Sequence, residues 1–330
     1  MKDKILHLLK KNGDGFISGQ FISEKLGVTR AAVWKYINIL KSEGYLIESV
    51  SRKGYKLKVC PDILNKEEID PKLNTGFIGR NIVYFDSIDS TNTKAKELAL
   101  NGASDGTLVI SEEQTMGRGR LGRTWTCLPK YKGIFMSVIL RPELEPAEVP
   151  KITQIGAAAL VLAFKSLKID TYIKWPNDII LNNKKLCGVL TEMSGELNKI
   201  NYVVMGIGIN ANISYYEFPE EIRSKATSLL IETNKEIVRK DLVACVLNNF
   251  EKMYSKFILN GDISEALDVC MKSSILIGKK VRIINAKHER IGEVLGLDKG
   301  GELIVKMEDG NVEKIVSGEI SIRGLNGYVS

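Results

Sequence analysis

Histidine is scarce in this chain: 330 residues hold two, His7 and His288. That excludes a zinc enzyme built on several histidines and disfavours a histidine-based triad. Cysteine is sparse as well. Cys60, Cys127, Cys187, Cys245 and Cys270 are odd in number, scattered and without a CxxC. They read as buried thiols of a reducing compartment, not as a disulfide framework or metal site. Long apolar runs are missing. The longest, 155–164, has ten residues, too short to span a bilayer. The opening MKDKILHLLKKNGDG is broken by charge too often for a signal peptide. The expected place is the cytoplasm, with no membrane partner.

Excess positive charge is missing from most of the chain. Lys and Arg number 47 against 40 Asp and Glu. Residues 1–60 hold 12 basic and 5 acidic side chains, whereas residues 61–330 hold 35 of each. The whole excess of seven sits in the first sixty residues. This excludes a uniformly basic coat or histone-like protein and points to a separate anion-binding module at the N-terminus.

The pattern over 1–57 predicts three helices and a hairpin. Ile5, Leu6, Leu8 and Leu9 form an apolar stripe, and Gly13 and Gly15 end the first helix. Ser18 caps a short helix, Gly27 makes the turn, and Thr29 caps a third helix to about Glu43. On that helix Val33, Tyr36, Ile37 and Leu40 share one face. Arg30, Ala31, Trp34, Lys35, Asn38 and Lys41 share the other. YLIESV and GYKLKV then form a two-stranded wing with Arg52 and Lys53 at its tip. Together they make a winged helix-turn-helix for DNA. Trp34 keeps two readings, a stacking surface for sugar or base and a docking contact for the next domain.

Pro61 and the charged run NKEEIDPKLN mark a linker. Beyond it strands and helices alternate. YIKWPNDIIL, KKLCGVLTEMS and YVVMGIGINAN read as three strands, VPKITQIGAAALVLAFKSL as a long buried helix, and 239–257 and 262–271 as helices. Short turns such as LNNKKL argue for a mixed or largely antiparallel sheet, and so for an α+β domain. From residue 277, five short strands with glycine turns suggest an SH3-like small β-barrel. The expected domains are 1–63, 64–272 and 273–330.

Four stretches carry candidate chemistry. In Gly117-Arg118-Gly119-Arg120-Leu121-Gly122-Arg123, glycines free backbone N–H groups and arginines supply forked donors for phosphate or carboxylate. It is neither a Walker loop nor a Rossmann turn. Three like charges this close repel, so an anion is expected to order the loop. Lys174-Trp175-Pro176-Asn177-Asp178 combines a cation, a turn and a carboxylate, and strand pairing would bring Lys185 beside Asp178. Asp89-Ser90-Thr91-Asn92 offers a helix N-terminus and small polar groups, and also fits an ordinary cap. Gly206-Ile207-Gly208-Ile209-Asn210 lets a ligand approach a strand's backbone.

In this order, Ser90-Thr91-Asn92, Gln114 with GRGRLGRTW, KWPND, the KKLCG lysine and GIGIN resemble the biotin protein ligases. The winged helix and a barrel ending in Gly318-Glu319-Ile320-Ser321-Ile322-Arg323 resemble the bifunctional bacterial kind, which also represses the biotin operon. Leu121 takes a loop position where some relatives carry another Arg. The resemblance implies that biotin and ATP, with Mg2+, form biotinyl-5′-adenylate. Biotin then passes to one lysine of a biotin carboxyl carrier protein. It implies catalytic roles for Lys185, Arg118, Arg120 and Asp178. Ser90, Thr91, Asn92, Gln114, Arg118, Gly119, Arg120 and Lys185 would hold biotin. Arg123, Trp125, Asn177, Asn210 and Arg323 would hold ATP or the adenylate. Asp178 would hold either the carrier's attacking lysine or Mg2+. The same resemblance implies a homodimer in the adenylate-bound state, placing two winged helices on a two-fold operator. Three rivals remain: a lipoate-type ligase on the same fold, a ligand-sensing repressor with little ligase activity, and a ligase whose N-terminal module has lost DNA binding.

Overall fold

The computed structural model describes residues 1–126, 128–196, 199–285, 288–318, 320–325 and 327–328. Cys127 and Glu319, both singled out above, lie outside the described residues. The chain divides into two compact units, Met1–Ile63 and Leu64–Ser330.

The first unit contains α1 (Lys2–Lys11), α2 (Gly19–Leu26), α3 (Arg30–Ser42), β1 (Leu46–Val50) and β2 (Gly54–Val59). Local chemistry sets the ends. Ser18 accepts from the Phe21 N–H at 3.1 Å and Thr29 from the Ala32 N–H at 3.2 Å. Gly27 closes α2 at φ +64, in the left-handed region that glycine enters without strain. Ile5, Leu6, Leu9, Ile22, Val33, Ile37 and Leu40 fill one core. The antiparallel pair β1–β2 forms the wing.

The second unit opens with α4 (Lys66–Ile69) and a single 3-10 turn. Here the linker expectation needs correction. The charged run is folded: Leu64 and Ile69 are fully buried, and Glu68 pairs with Lys240 at 2.5 Å in the interior. Next come β3 (Ile82–Phe85), α5 (Thr91–Leu100), β4 (Leu108–Ser111), β5 (Ile134–Leu140) and α6 (Val149–Ser166). The strands β6 (Tyr172–Lys174), β7 (Asp178–Leu181), β8 (Lys184–Glu196) and β9 (Lys199–Ile209) follow. The helices α7 (Glu220–Arg223), α8 (Leu229–Thr233), α9 (Arg239–Asn260) and α10 (Ser264–Lys272) complete this part. YIKWPNDIIL is two strands, not one, because its Trp-Pro-Asn segment folds them into an antiparallel pair. The seven-stranded sheet runs β3-β4-β5-β9-β8-β7-β6, with β3–β4 parallel and every other neighbouring pair antiparallel.

Side chains alternate across this sheet. Leu108, Ile110, Met136, Val138 and Met205 face the core built with α6 and α9. Val109, Ile139 and Val204 face the other way, against Ala95 and Ala99 of α5. Helix α6 with the turn before it, Pro146–Ser166, is long and apolar enough to cross a membrane, but most of its apolar stretch is buried inside the molecule. Its apolarity is that of a core helix packed on a sheet.

The five C-terminal strands are β10 (Lys280–Asn285), β11 (His288–Leu297), β12 (Leu303–Met307), β13 (Val312–Ile315) and β14 (Ser321–Gly324). They form an antiparallel sheet ordered β13-β12-β11-β10-β14. Trp175 inserts among its core residues and donates its indole N–H to the Gly301 carbonyl at 3.1 Å. The small sheet is thus bolted to the turn of KWPND.

Candidate active site and nucleic-acid face

The face of the large sheet under α5 is bare at one end. Alternation puts Ser137, Gly206 and Gly208 in line with Val204, and the ladder sets Gly206 against Ser137 and Gly208 against Gly188. Small residues there leave a hollow. A Cβ on Gly206 would fall 2.0 Å from Asn92 Oδ1, and one on Gly208 2.7 Å from the Trp125 ring. The resulting cavity measures about 470 Å³. Ser90, Thr91, Asn92, Gln114, Arg118, Gly119, Arg120, Arg123, Trp125, Asn177, Asp178, Lys185, Asn210 and Arg323 all line it. The structure therefore brings together every ligase-site residue named from the sequence.

One end is a buried hydrogen-bonded polar wall. Gln114 Oε1 accepts from the Thr91 N–H at 2.7 Å and its hydroxyl at 3.0 Å. Ser137 Oγ donates to Asn92 Oδ1 at 2.6 Å, and Asn92 Nδ2 donates to Glu192 Oε2 at 2.8 Å. Lys96 grips the other oxygen of Glu192 at 2.5 Å. Side chains held this firmly present a fixed pattern of polar atoms to a neutral, oxygen-rich ligand. Two further polar atoms, Trp125 Nε1 and Asn210 Oδ1, are buried with no partner among the described residues. An unmet buried donor and an unmet acceptor in a cavity are what a bound ligand satisfies.

The arginine loop folds as a small hairpin, with the Gly119 N–H on the Arg123 carbonyl at 2.7 Å and the Trp125 N–H on the Gly117 carbonyl at 3.0 Å. Leu121 sits at its tip with φ +56. Arg120 is anchored by protein oxygens: Asn177 Oδ1 at 3.1 Å and the carbonyls of Gly318 and Ile320 at 2.6 and 3.1 Å. Burial lowers its pKa below the usual guanidinium range, Asp178 opposing and Arg123 adding to the fall. Arg118 and Arg123 are exposed. The anion-ordered loop of the sequence reading thus already has one fixed point, Arg120, and two open guanidiniums.

At the charged end, Lys185 Nζ lies 2.5 Å from Asp178 Oδ1, as the strand pairing predicts. The Tyr328 hydroxyl donates to Asp178 Oδ2. Burial alone would raise the Asp178 pKa, but Lys185, Tyr328 and Lys174 together hold it below the ordinary value. Lys174 is buried, with its ammonium 3.4 Å from the centre of the Tyr328 ring. Burial drives its pKa down to about 7; Asp178 pulls upward, while Arg323, Lys185 and Arg123 push further down. Arg323 lies 4.9 Å from the same ring. The sequence reading quoted Lys174 in KWPND without giving it a role, and missed Tyr328, Ser137 and Glu192. A β-strand parity count beside the GIGIN glycines would have found Ser137. Tyr328 has no local signal.

In the other unit Arg30, Ala31, Trp34 and Lys35 are exposed along α3, Asn38 is half-buried, and Arg52 and Lys53 are exposed on the wing. Trp34 is 61% exposed and stands among the exposed basic side chains of α3.

Family models match in three blocks: an HTH domain over 2–56, the Biotin/lipoate A/B protein ligase family over 84–210, and the Biotin protein ligase C terminal domain over 276–323. The Bifunctional ligase/repressor BirA of Bacillus spizizenii is 39% identical over 324 residues, covering 98% of both chains. The chain belongs to the bifunctional biotin ligase/repressor family. The Escherichia coli BirA is similar at 30% identity, over 98% of this chain and 99% of its own. The biotin protein ligase of Aquifex aeolicus, solved in complex with biotin and ATP, has 30% identity and a TM-score of 0.64, over 74% of this chain and 99% of its own. Like other members of the family, this ligase/repressor joins a biotin-transferring enzyme to a DNA-binding regulator. The rival readings of a pure sensor and of a lipoate-specific enzyme give way to this one.

Proposed function

We propose that this ligase/repressor makes biotinyl-5′-adenylate in the cavity described above, passes biotin to a carrier lysine, and represses transcription when the adenylate is bound. The observation that carries the reading is the Lys185–Asp178 pair set beside Arg120, Trp125 and the two unmatched polar atoms. In the first half-reaction a biotin carboxylate oxygen bonds to the α-phosphorus of ATP and pyrophosphate leaves. Two anions must meet, so cations are needed and a proton shuttle is not. Lys185 offsets charge developing on the α-phosphate, with Arg118 and Arg120 over the carboxylate. Ser90, Thr91, Asn92, Gln114 and Gly119 seat biotin. Arg123, Trp125, Asn177, Asn210 and Arg323 seat the nucleotide.

In the second half-reaction the carrier's neutral lysine amine attacks the acyl carbon, AMP leaves with the electron pair of the broken C–O bond, and the amine nitrogen gives up one proton to water as the amide forms. The partner is a biotin carboxyl carrier protein. Among the described residues no group of three His, Cys, Asp or Glu could hold a metal. Mg2+ commonly binds through one or two carboxylates plus substrate phosphates, so magnesium enters as the ATP complex. Of the two roles considered for Asp178, steering the incoming lysine suits a carboxylate already ringed by cations better than binding Mg2+. The modules we assign are 1–63 for DNA, 64–272 for ligation and 273–330 for the barrel, working as a cytoplasmic homodimer when adenylate-bound. Arg30, Ala31, Trp34, Lys35, Asn38, Arg52 and Lys53 contact the operator, Trp34 by stacking.

A gel shift on the protein's own biotin-operon promoter, with and without biotin plus MgATP, tests both halves beside a carrier-biotinylation assay. The expected result is a shift strengthened by the two substrates, and a labelled carrier. A shift indifferent to them would overturn the co-repressor link, and an unlabelled carrier the ligase reading.

A further inference from the structure

We propose that Tyr328, in the tail beyond the last strand, is a positioning residue of the ligase site, holding Asp178 in place for Lys185 with its hydroxyl and Lys174 with its ring. The proposal rests on the reading of Lys185 given above. Tyr328 lies outside every motif that carries the family likeness, yet it lines the same cavity. Its contact with Asp178 joins residues 150 apart in sequence.

A carboxylate held by one cation alone can rotate about its Cβ–Cγ bond. Here Oδ2 takes the phenol hydrogen, and Oδ1 is left facing Lys185 Nζ at 2.5 Å. A phenol donating to a carboxylate is a charge-assisted bond, stronger than a neutral one. It fixes where Lys185 is held between turnovers, and so how closely that ammonium meets the α-phosphate.

The ring does a second task. The Lys174 ammonium is buried, against the Tyr328 ring and within the field of Asp178. A buried cation needs compensation. The aromatic face at 3.4 Å supplies part of it through its quadrupole, and the Asp178 carboxylate another part. A second carboxylate in that place would compete with Asp178 for Lys185 and repel incoming phosphates. A tyrosine stabilises one cation and orients one anion without adding net charge.

The test uses the full-length protein, with kcat and KM from steady-state biotinylation of the carrier and the adenylation step read as single-turnover pyrophosphate release. Tyr328→Phe keeps the ring and removes the hydroxyl. It should lower kcat about tenfold, the scale of one hydrogen bond to a charged group, with KM for biotin and ATP unchanged. Tyr328→Ala removes both contacts and should lower kcat further and raise KM. A purely structural tyrosine would instead lower the melting temperature and leave the kcat of the Phe variant at the wild-type value; that result overturns the proposal. Lys185→Ala is run alongside. If it keeps the wild-type rate, the underlying reading falls and the proposal with it. If it is inactive while Tyr328→Phe is wild-type, the proposal alone falls.

Discussion

The two units use the same two residue types in opposite ways. On α3 and the wing, Arg30, Lys35, Arg52 and Lys53 stand exposed in water. Charges of that kind attract a polyanion over the Debye length and are screened by salt. In the cavity Arg120, Lys174 and Lys185 are wholly or partly buried, and each is fixed by an oxygen or a ring. Their positive charge is costly to bury and is offset by partners in fixed positions. Exposure makes a cation a long-range attractor; burial makes it a locator. An average over the chain hides this, because the larger unit is close to neutral overall and still concentrates cations at one point.

The contrast is broken most severely at its centre. Lys185→Ala should slow adenylate formation by about 10²–10³-fold, the scale for removing one group aimed at developing charge. Non-specific DNA affinity should be unchanged. A comparable loss in both assays would mean that the units are not separable. Next in size, Gly208→Ala forces a Cβ to 2.7 Å from Trp125. Overpacking costs about 1–3 kcal/mol, so isothermal titration should show biotin and ATP binding at least several-fold weaker. Unaltered binding would remove Trp125 from the nucleotide wall.

On the exposed side, Arg30→Ala with Lys35→Ala should reduce the slope of log K for DNA against log salt by about 2, close to one per phosphate contact. The carrier should be biotinylated at the normal rate. A slope that stays put would assign the DNA face elsewhere. The smallest effect belongs to Thr29→Ala, which removes the cap on α3 at a cost of about 1 kcal/mol. Thermal melting should show it in the N-terminal unit alone.

Much of this was legible in the sequence, for local reasons. The caps at Ser18 and Thr29, the αL turn at Gly27 and the alternation of strands depend on a few neighbouring residues. Motif order also placed Lys185 beside Asp178, since a hairpin is a short-range object. What escaped depends on distant partners. NKEEIDPKLN looks solvated because it is charged, and Lys240, 172 residues away from Glu68, helps make its burial tolerable. Lys174 looks like any strand lysine until the tail folds Tyr328 under it. The Pro176-Asn177-Asp178 turn was legible, but YIKWPNDIIL still read as one strand, because the apolar residues on both sides of the turn satisfy a strand pattern.

The first residue of the ligase unit bears on how the two activities can be separated by cutting the chain. The Leu64 N–H donates to Glu112 Oε1 at 2.8 Å, and Glu112 Oε2 takes the buried Arg239 at 2.6 Å. That carboxylate stands two positions before Gln114, which holds Thr91. A shortened enzyme that begins after the charged run would lose Leu64 and Glu68 together and loosen the strand that carries the biotin wall. One that begins just before Leu64 keeps both anchors. The boundary between regulator and enzyme is therefore a narrow window of chain, and its downstream edge is set by one glutamate inside the enzyme.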